Sequence, residues 1–383
     1  MDNMSRTKSL LKTAYDRFME SEGIPVVEGW YVADVRETER SPWKRLGGKG
    51  AFIQLYGLED ITALYVVEIP PGDALKTERH MYEEIYYILA GSGSTEIVAP
   101  DGKAQRFGWR KGDLFGIPLN VPHRLINESR EPALALAETN APIIMDQFHN
   151  PKFIFECDFQ FADRYNGSPD YFKVTEDIVN VGRGGGDEEG GATTWRATFI
   201  PDSDHVVLPD GRWKGGGFKF MSHNLVGNTL EGHFAEWPAG QYNKAHAHGG
   251  GAVLYIVSGS GYTLMWPREA GVRPYEQGNE DKVIRAPWQE GAVVSPGTGW
   301  FHQHFGTGST DQKPVRQLAL RPSGGQNPVG FRRTVSREGP TVSIRKGGSL
   351  VDFDLEDPRV RRDFKAELAT KGLPYRMPGE QAP

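Results

Sequence analysis

The chain has 383 residues, enough for two domains of ordinary size, and its 47 glycine and 26 proline residues suit a turn-rich β protein. Its formal net charge is -6 and its basic residues are scattered, which disfavours nucleic acid and anionic membrane surfaces as partners. A single cysteine excludes an intramolecular disulfide, the first residues lack the apolar core of a signal peptide, and no stretch reaches the ~18 apolar residues of a membrane span. We therefore expect a cytoplasmic protein with a small-molecule partner.

The N-terminal part, residues 1–46, predicts a helix followed by an arm. Apolar residues recur at three- and four-residue spacing from Thr7 to Met19, as they do on one face of a helix. From Gly47 the pattern changes to short β-rich runs separated by glycine, proline and aspartate turns. This rhythm predicts a first β-barrel over residues 47–150.

The middle of the chain predicts a connection rather than a core. Residues 181–195, VGRGGGDEEGGATTW, are rich in glycine and acidic groups and too poor in apolar groups to pack, so we expect a linker within a connecting segment, 151–214. The β rhythm returns over 215–322, which predicts a second barrel. Residues 323–383 form a polar C-terminal extension with one short helix in RVRRDFKAELATKG.

An internal repeat relates the two β-rich regions. EIYYILAGSGSTEI, which starts at Glu84, aligns with AVLYIVSGSGYTLM, which starts at Ala252. Gly91 then falls on Gly259, and each copy is preceded and followed by histidines. The repeat indicates a duplicated unit.

The histidines of the second copy predict a metal site. His246 and His248 alternate along a strand, so their imidazoles point to the same side and can converge on one ion. His302 would join them from a distant strand. Three neutral imidazoles bind iron, copper, zinc, nickel or manganese and leave positions open for water, substrate or dioxygen.

These motifs resemble those of the cupin superfamily, and of bicupins in particular. The first family motif begins with a glycine that is followed after five residues by His-x-His. A glutamate comes three or four residues later, and a glycine ends the motif after six more residues. The second motif ends in a histidine that is followed by three residues and an asparagine. Both occur in each half, over about residues 50–145 and 215–322. The resemblance implies an all-β fold of two tandem double-stranded β-helix (jelly-roll) barrels with a short N-terminal helix.

The second copy departs from the family pattern. Ala252 stands at the glutamate position, Gly297 at the proline position and Gly306 at the asparagine position. Three histidines without a carboxylate resemble the site of gentisate-type ring-cleaving dioxygenases and of acetylacetone-type dioxygenases. This resemblance implies a mononuclear non-haem Fe(II) dioxygenase that uses O2 to cleave a carbon-carbon bond of a small hydroxylated aromatic acid or enolisable substrate. Manganese, nickel, copper and zinc are the alternative metals.

The first copy departs in another way. Glu78 takes the place of the first histidine, while His80, Glu84 and His123 follow the family spacing. The four side chains could hold a hard divalent ion such as manganese, or they could form a hydrogen-bonded remnant inside a structural barrel.

Other residues are candidates for substrate contacts in the second barrel. His304, two residues after His302, faces the same interior and could shuttle a proton, or simply pack. Trp300, just before His302, could form an aromatic wall. Arg285, Arg316 and Arg321 could pair with a substrate carboxylate, although arginines near strand ends are usually surface groups.

Two other functions fit the same pattern. A metal-dependent lyase, isomerase or decarboxylase would use the ion as a Lewis acid, with His304 or a carboxylate of the first barrel moving protons. A non-catalytic metal- or ligand-binding bicupin is the third possibility. The apolar face of the N-terminal helix, which could pack on a barrel or on another subunit, favours a homo-oligomer.

Overall fold

The computed structural model describes residues 12–58, 61–181, 192–211, 217–249, 251–308, 314–322 and 342–377. These residues form a mostly β structure. Its α-helices are α1 (Ala14–Glu22), α2 (Ala141–Phe148), α3 (Pro151–Glu156) and α4 (Pro358–Thr370). None of the helices in these ranges has both the length and the apolar character that crossing a membrane requires.

The strands of the first half form one large and one small sheet, which together make barrel 1. The large sheet has the order β1-β4-β5-β11-β6-β9-β14, with β3 added to β4, and the small sheet has the order β10-β7-β8. The strands are β1 (Val26–Gly29), β3 (Ser41–Pro42), β4 (Lys49–Leu55), β5 (Ala63–Ile69), β6 (Glu84–Ala90), β7 (Ser92–Val98), β8 (Ala104–Arg110), β9 (Leu114–Ile117), β10 (His123–Asn127), β11 (Ala133–Thr139) and β14 (Phe199–Ile200).

The second half repeats this arrangement as barrel 2. Its large sheet has the order β12-β13-β15-β16-β22-β17-β20-β2, and its small sheet has the order β19-β18-β21. The strands are β2 (Tyr31–Val32), β12 (Ile178–Val181), β13 (Ala192–Ala197), β15 (Lys219–Leu225), β16 (Leu230–Trp237), β17 (Val253–Ser258), β18 (Ser260–Trp266), β19 (Ile284–Gln289), β20 (Val293–Val294), β21 (Phe301–Gly308) and β22 (Val315–Pro322). The expected fold of two tandem jelly-roll barrels with a short N-terminal helix is confirmed.

The N-terminal helix begins later than its apolar pattern predicted. Thr13 caps it, because the Thr13 hydroxyl accepts from the Asp16 backbone N–H and the Asp16 carboxylate accepts from the Thr13 N–H, each at 3.0 Å. Gly23, with φ 67, ends it. Residues 7–11 of the predicted helix lie outside the described residues. Tyr15 and Met19 pack into barrel 1, so this face is covered within the chain, and a homo-oligomer stays a prediction.

The two barrels pack through the outer faces of their large sheets. Alternate residues of β11 divide between two cores: Leu136 joins the core between the barrels, and Ala137 lines the interior of barrel 1. Tyr87 of barrel 1 meets Tyr255 of barrel 2 there, with ring centroids 4.9 Å apart. Since both faces of these strands are buried, their sequences are nearly continuous apolar runs.

Each barrel contains one strand that comes from outside its own half of the chain. Tyr31 and Val32, in the N-terminal arm, pair with β20 of barrel 2. Phe199 and Ile200, in the segment expected to be only a connection, pair with β9 of barrel 1. The glycine-rich segment lies largely outside the described residues, and its flanks pair with each other as β12 and β13 rather than acting as a free linker.

A carboxyl group is buried on the β11 face that carries Leu136. Glu138 is fully buried, and its oxygens make no hydrogen bond of normal geometry within the described part of the chain. Burial is the main cause that raises its pKa well above the ordinary value, and the negative charge of Glu83 adds to it. Because its β11 neighbours Leu134 and Leu136 point into the core between the barrels, Glu138 is a polar group at an apolar position.

We expect the substitution Glu138→Leu to stabilise the protein more at pH 8 than at pH 5. The raised pKa keeps Glu138 protonated in the fold, whereas the unfolded chain ionises above about pH 4.3, so this group lowers stability as pH rises. Removing a buried, poorly bonded polar group should add about 2 kcal/mol to the free energy of unfolding at pH 5, and more at pH 8, because each pH unit between the unfolded and the folded pKa adds about 1.4 kcal/mol. Chemical denaturation at both pH values measures this. An equal change at the two values would show that Glu138 does not hold its proton.

Candidate metal centres

Three histidines meet in barrel 2. His246, in the loop after β16, exchanges two backbone hydrogen bonds with His302 at the start of β21, with N to O distances of 3.1 and 3.0 Å. His248 follows on the same side, while Ala247 between them packs outward. One ligand atom from each of the three side chains lies within 4.8 Å of the others. The structure therefore brings together the three residues predicted from the sequence.

The backbone fixes the orientation of these imidazoles. Nδ1 of His246 lies 3.0 Å from the carbonyl oxygen of Lys244, and Nδ1 of His302 lies 3.1 Å from that of Trp300. A carbonyl oxygen only accepts hydrogen bonds, so each Nδ1 carries the proton and each Nε2 keeps its lone pair. Metal-binding histidines in proteins are typically held in this way. The triad therefore fits a metal ion.

His304 is held through its Nδ1 atom by a side chain rather than by a backbone carbonyl. The indole N–H of Trp288 donates to the Thr263 hydroxyl at 3.0 Å, and that hydroxyl lies 2.9 Å from Nδ1 of His304. A hydroxyl has one proton and two lone pairs, so Thr263 can accept from Trp288 and either donate to Nδ1 or accept from an Nδ1–H. The His304 ring lies 5.5 Å from the His302 ring, so this imidazole lies beside the triad.

Barrel 1 contains the second predicted cluster. Ligand atoms of Glu78, His80, Glu84 and His123 lie within 4.8 Å of one another. Nε2 of His123 is 3.2 Å and Nε2 of His80 is 3.4 Å from the same oxygen of Glu84. Both Nδ1 atoms lie 2.9 Å from backbone carbonyl oxygens, and Nε2 of His80 is buried without a hydrogen bond of normal geometry. The donor set fits a hard divalent ion.

The charges in this cluster stabilise one another. Burial opposes ionisation of Glu84, but the neighbouring His80 and the hydrogen bond from His123 lower its pKa below the ordinary value. Burial likewise opposes protonation of His123, yet the adjacent Glu84 raises its pKa. Tyr65 donates to the other oxygen of Glu84 at 2.6 Å, and Arg45 pairs with Glu78 at 2.7 Å. The four side chains therefore form a network of ion pairs and hydrogen bonds that does not require a bound ion.

Each centre has one partly exposed member, Glu78 in barrel 1 and His248 in barrel 2. The four side chains of the barrel 1 cluster are at most 9% exposed. Phe18 of α1 and Phe155 of α3 stack over this end of the barrel, and both contact the Arg45 guanidinium. Two helices therefore cover the barrel 1 cluster at this end.

Aromatic residues form the mouth of barrel 2. The ring of Trp300 lies 4.9 Å from that of Trp30 in the N-terminal arm, and Trp30 meets Tyr56 of barrel 1 edge-on at 5.5 Å. Trp300 packs against the interior core of barrel 2. It thus lies where a pocket wall would stand, and its contact with substrate stays a prediction. Trp30 and Tyr56 were missed because neither lies near the second copy in sequence.

The three candidate arginines lie in three different places in the structure. Arg285 is on the outer face of β19, where it stacks on Tyr262 at 3.9 Å and pairs with Glu367 at 2.6 Å. Its prediction as a substrate contact of this centre is wrong, because only alternate residues of β19 face the interior. Arg316 points between the barrels and pairs with Glu236. Arg321 is on the interior face of β22, the face that also carries Ala319.

Two interior residues of barrel 2 were not predicted. Ser222 and His233 face each other across β15 and β16 and are buried. The sequence signal was present, since HNLVGNTLEGHFAEWPAG repeats the strand pair of barrel 1, but the strand register was needed to show that both residues point inward.

Comparison with known proteins supports the fold assignment in the first half. Residues 65–137 match the family model described as Cupin domain. A variant of Bacillus subtilis oxalate decarboxylase aligns over 78% of this chain and 78% of its own at 16% identity, with a TM-score of 0.48. A structure describing the substrate binding mode of oxalate decarboxylase aligns with the same coverage and TM-score at 15% identity. The gentisate-type resemblance is not shown by these matches; what they show is that residues 65–137 of barrel 1 match a cupin domain model.

Proposed function

We propose that barrel 2 is the reaction centre of a metal-dependent enzyme that cleaves a carbon-carbon bond of a small carboxylate without dioxygen, as a lyase or decarboxylase does. The proposal is based on the different hydrogen-bond partners of the imidazoles in barrel 2. His246 and His302 keep Nε2 lone pairs for an ion, whereas Nδ1 of His304 faces the Thr263 hydroxyl, which allows His304 to carry an Nε2 proton in the same interior. A site for carbanion chemistry needs both an electron sink and a proton source.

A bound divalent ion would supply Lewis acidity, which withdraws electron density from a coordinated oxygen. The chain itself supplies the other parts. A protonated His304 would donate its Nδ1–H to Thr263 and give its Nε2 proton to the carbon that is left with an electron pair after bond cleavage, which returns His304 to the neutral imidazole. Thr263 and Trp288 orient the ring for this role. Trp30 and Trp300 narrow the mouth and limit entry of water.

A dioxygenase is the second candidate function, and the missing carboxylate ligand favours it. With Ala252 at the glutamate position, the protein offers three neutral ligands and leaves positions for an anionic substrate and O2. The Fe(II) oxygenase predicted from the sequence therefore stays a prediction, alongside manganese, nickel, copper and zinc as metals for either reaction.

The oxygen requirement separates the two functions. Protein loaded with zinc or manganese is expected to release product from a panel of hydroxy-acids, keto-acids and dihydroxy-aromatic acids under strict anaerobiosis, as followed by NMR. His304→Gln should lower this turnover about 100-fold while metal content stays unchanged, because the proton donor is lost.

Other outcomes would contradict the proposal. Turnover with iron alone that consumes one O2 per product would establish the dioxygenase instead. Absence of turnover with every metal, together with saturable ligand binding, would establish a non-catalytic binding protein.

A further inference from the structure

Strand register allows the interiors of the two barrels to be compared residue by residue. In barrel 1 a row of interior side chains crosses the large sheet through the pairs Phe52–Tyr65, Tyr65–Ala137, Ala137–Tyr86 and Tyr86–Phe115. In barrel 2 the same row runs Ser222–His233, His233–Ala319, Ala319–Leu254 and Leu254–Val294. In barrel 1 this row lies beside the histidine cluster, because Tyr65 donates to Glu84.

This row carries large side chains in barrel 1 and smaller ones in barrel 2. Four aromatic rings become serine, histidine, leucine and valine, all smaller. Farther from the histidines the trend reverses, because Trp237 occupies the position of Ile69 and Phe220 that of Gly50. Side-chain volume is thus removed next to the predicted metal ligands and added below them. We call the depleted region, lined by Ser222, His233, Ala252, Leu254 and Arg321, the hollow.

A carboxylate is missing from the hollow. Glu84 of barrel 1 corresponds to Ala252 of barrel 2, and the two side chains differ by one CH2–COO⁻ unit. In barrel 1 that carboxylate accepts from Tyr65 at 2.6 Å and lies 3.2 Å from Nε2 of His123. The counterparts of Tyr65 and His123 are His233 and His302, so the surroundings of a carboxylate are kept while the carboxylate is gone.

A cation stands at this position instead. Glu84 pairs across the strands with Thr139, and the corresponding residue of barrel 2 is Arg321, next to Ala252 because Val253 pairs with Leu320. Arg321 is 12% exposed and forms an ion pair with Glu231, in which the guanidinium nitrogen and the carboxylate oxygen are 3.7 Å apart, beyond hydrogen-bond length. Its Nε and the Ser222 hydroxyl are buried without a hydrogen-bond partner among the described residues. These two donors can therefore bind a further acceptor, and leaving them without one costs free energy.

We propose that the hollow is a carboxylate subsite, in which the ligand's own CH2–COO⁻ or aryl-COO⁻ group takes the space of the missing glutamate side chain and pairs with Arg321. The ligand class is a small monocarboxylate whose remaining part extends toward His304 and the mouth. This inference deepens the proposed function by naming its substrate class, and rests on it for the location of the reaction.

Binding of acetate, propanoate and benzoate, each compared with its neutral amide, tests the subsite. We expect metal-free protein, prepared with a chelator, to prefer at least one acid over its amide by saturation-transfer NMR and calorimetry. Arg321→Gln should weaken that acid about 10- to 100-fold and remove the preference, since a charge-assisted hydrogen bond is lost. Arg106→Gln, which removes an exposed arginine of barrel 1, should change nothing.

Two more variants keep the test independent of any folding defect in Arg321→Gln. Ala252→Glu supplies the missing carboxylate from the chain, so it should block binding of the acid and raise the melting temperature. Glu231→Gln removes the neighbouring acid and should tighten binding of the acid. An acid preference that survives both Arg321→Gln and Ala252→Glu would overturn the subsite, even if the enzyme turns over. A preference lost in both, in a protein without turnover, would sustain the subsite and reject only the proposed reaction.

Discussion

Metal analysis of a His302→Ala variant should show about one ion per chain fewer than the parent protein, and turnover should fall by at least about 100-fold. His302 is 2% exposed and its Nδ1 is committed to the Trp300 carbonyl oxygen, so its remaining nitrogen has a fixed direction toward His246 and His248. Loss of one of the three ligands leaves two imidazoles, which bind a divalent ion too weakly to compete with its hydration by water. Mass spectrometry of the purified protein, with a steady-state assay, measures both quantities.

A His123→Ala variant is the matched control, because His123 holds the same position in barrel 1. It should leave the barrel 2 ion in place, although it also removes the partner of the buried Glu84 carboxylate and should lower the stability of barrel 1, so turnover is compared for folded protein only. A His302→Ala protein that keeps all its metal, beside a His123→Ala protein that loses it, would move the metal centre to barrel 1.

Truncation of the buried acid of barrel 1 is the substitution with the largest expected effect on stability. Glu84→Ala removes the carboxylate that pairs with His80 and His123 and accepts from Tyr65. Breaking a buried pair by deleting one partner should lower the free energy of unfolding by about 3 to 5 kcal/mol. Urea denaturation of the metal-free protein measures the change.

The pH dependence of this loss follows from the two shifted groups. The pKa of Glu84 is lowered, so its contribution is present above its unfolded pKa and lost as pH falls through the folded one. The pKa of His123 is raised, so its contribution is present below its unfolded pKa and lost as pH rises through the folded one. The difference in the free energy of unfolding between the parent protein and the variant should therefore be largest between about pH 4.3 and 6.5.

Glu96→Ala provides the control for this substitution, since Glu96 pairs with Arg106 and Arg124 on the surface of the same barrel. Exposed ion pairs contribute little, so the expected loss is below about 1 kcal/mol. A similarly small loss in Glu84→Ala would mean that the buried cluster does not hold barrel 1 together.

The triad of barrel 2 was predictable because it depends on two local rules. Side chains alternate along a strand, which puts His246 and His248 on one side, and the repeat aligned His302 with His123. The same alternation governs Arg285, but the strand register that turns it outward was not visible in the sequence. The orientation of His304 depends on Thr263 in the neighbouring strand β18 and, through Thr263, on Trp288 in β19.

Long-range pairing explains the remaining differences from the sequence prediction. The start of α1 at Ala14, in contrast, is set locally by the capping box at Thr13. The depletion of the barrel 2 row shows only when Ser222 and His233 are matched with Phe52 and Tyr65 through their partners. Periodicity identifies which residues face a core, whereas only tertiary structure identifies which core they face.

The exchanged strands also constrain the order in which the chain can be completed. Tyr31 and Val32 leave the ribosome early, yet their partners in β20 lie near the end of the chain. The arm that carries Trp30 to the mouth of barrel 2 must therefore wait, unpaired, until most of the polypeptide has been made. A half-length product would end before most strands of barrel 2 and would leave β9 without its partner β14, and exposed strand edges invite association between nascent chains. Closure of the mouth is then a late event in biogenesis, because it has to follow the synthesis of β20.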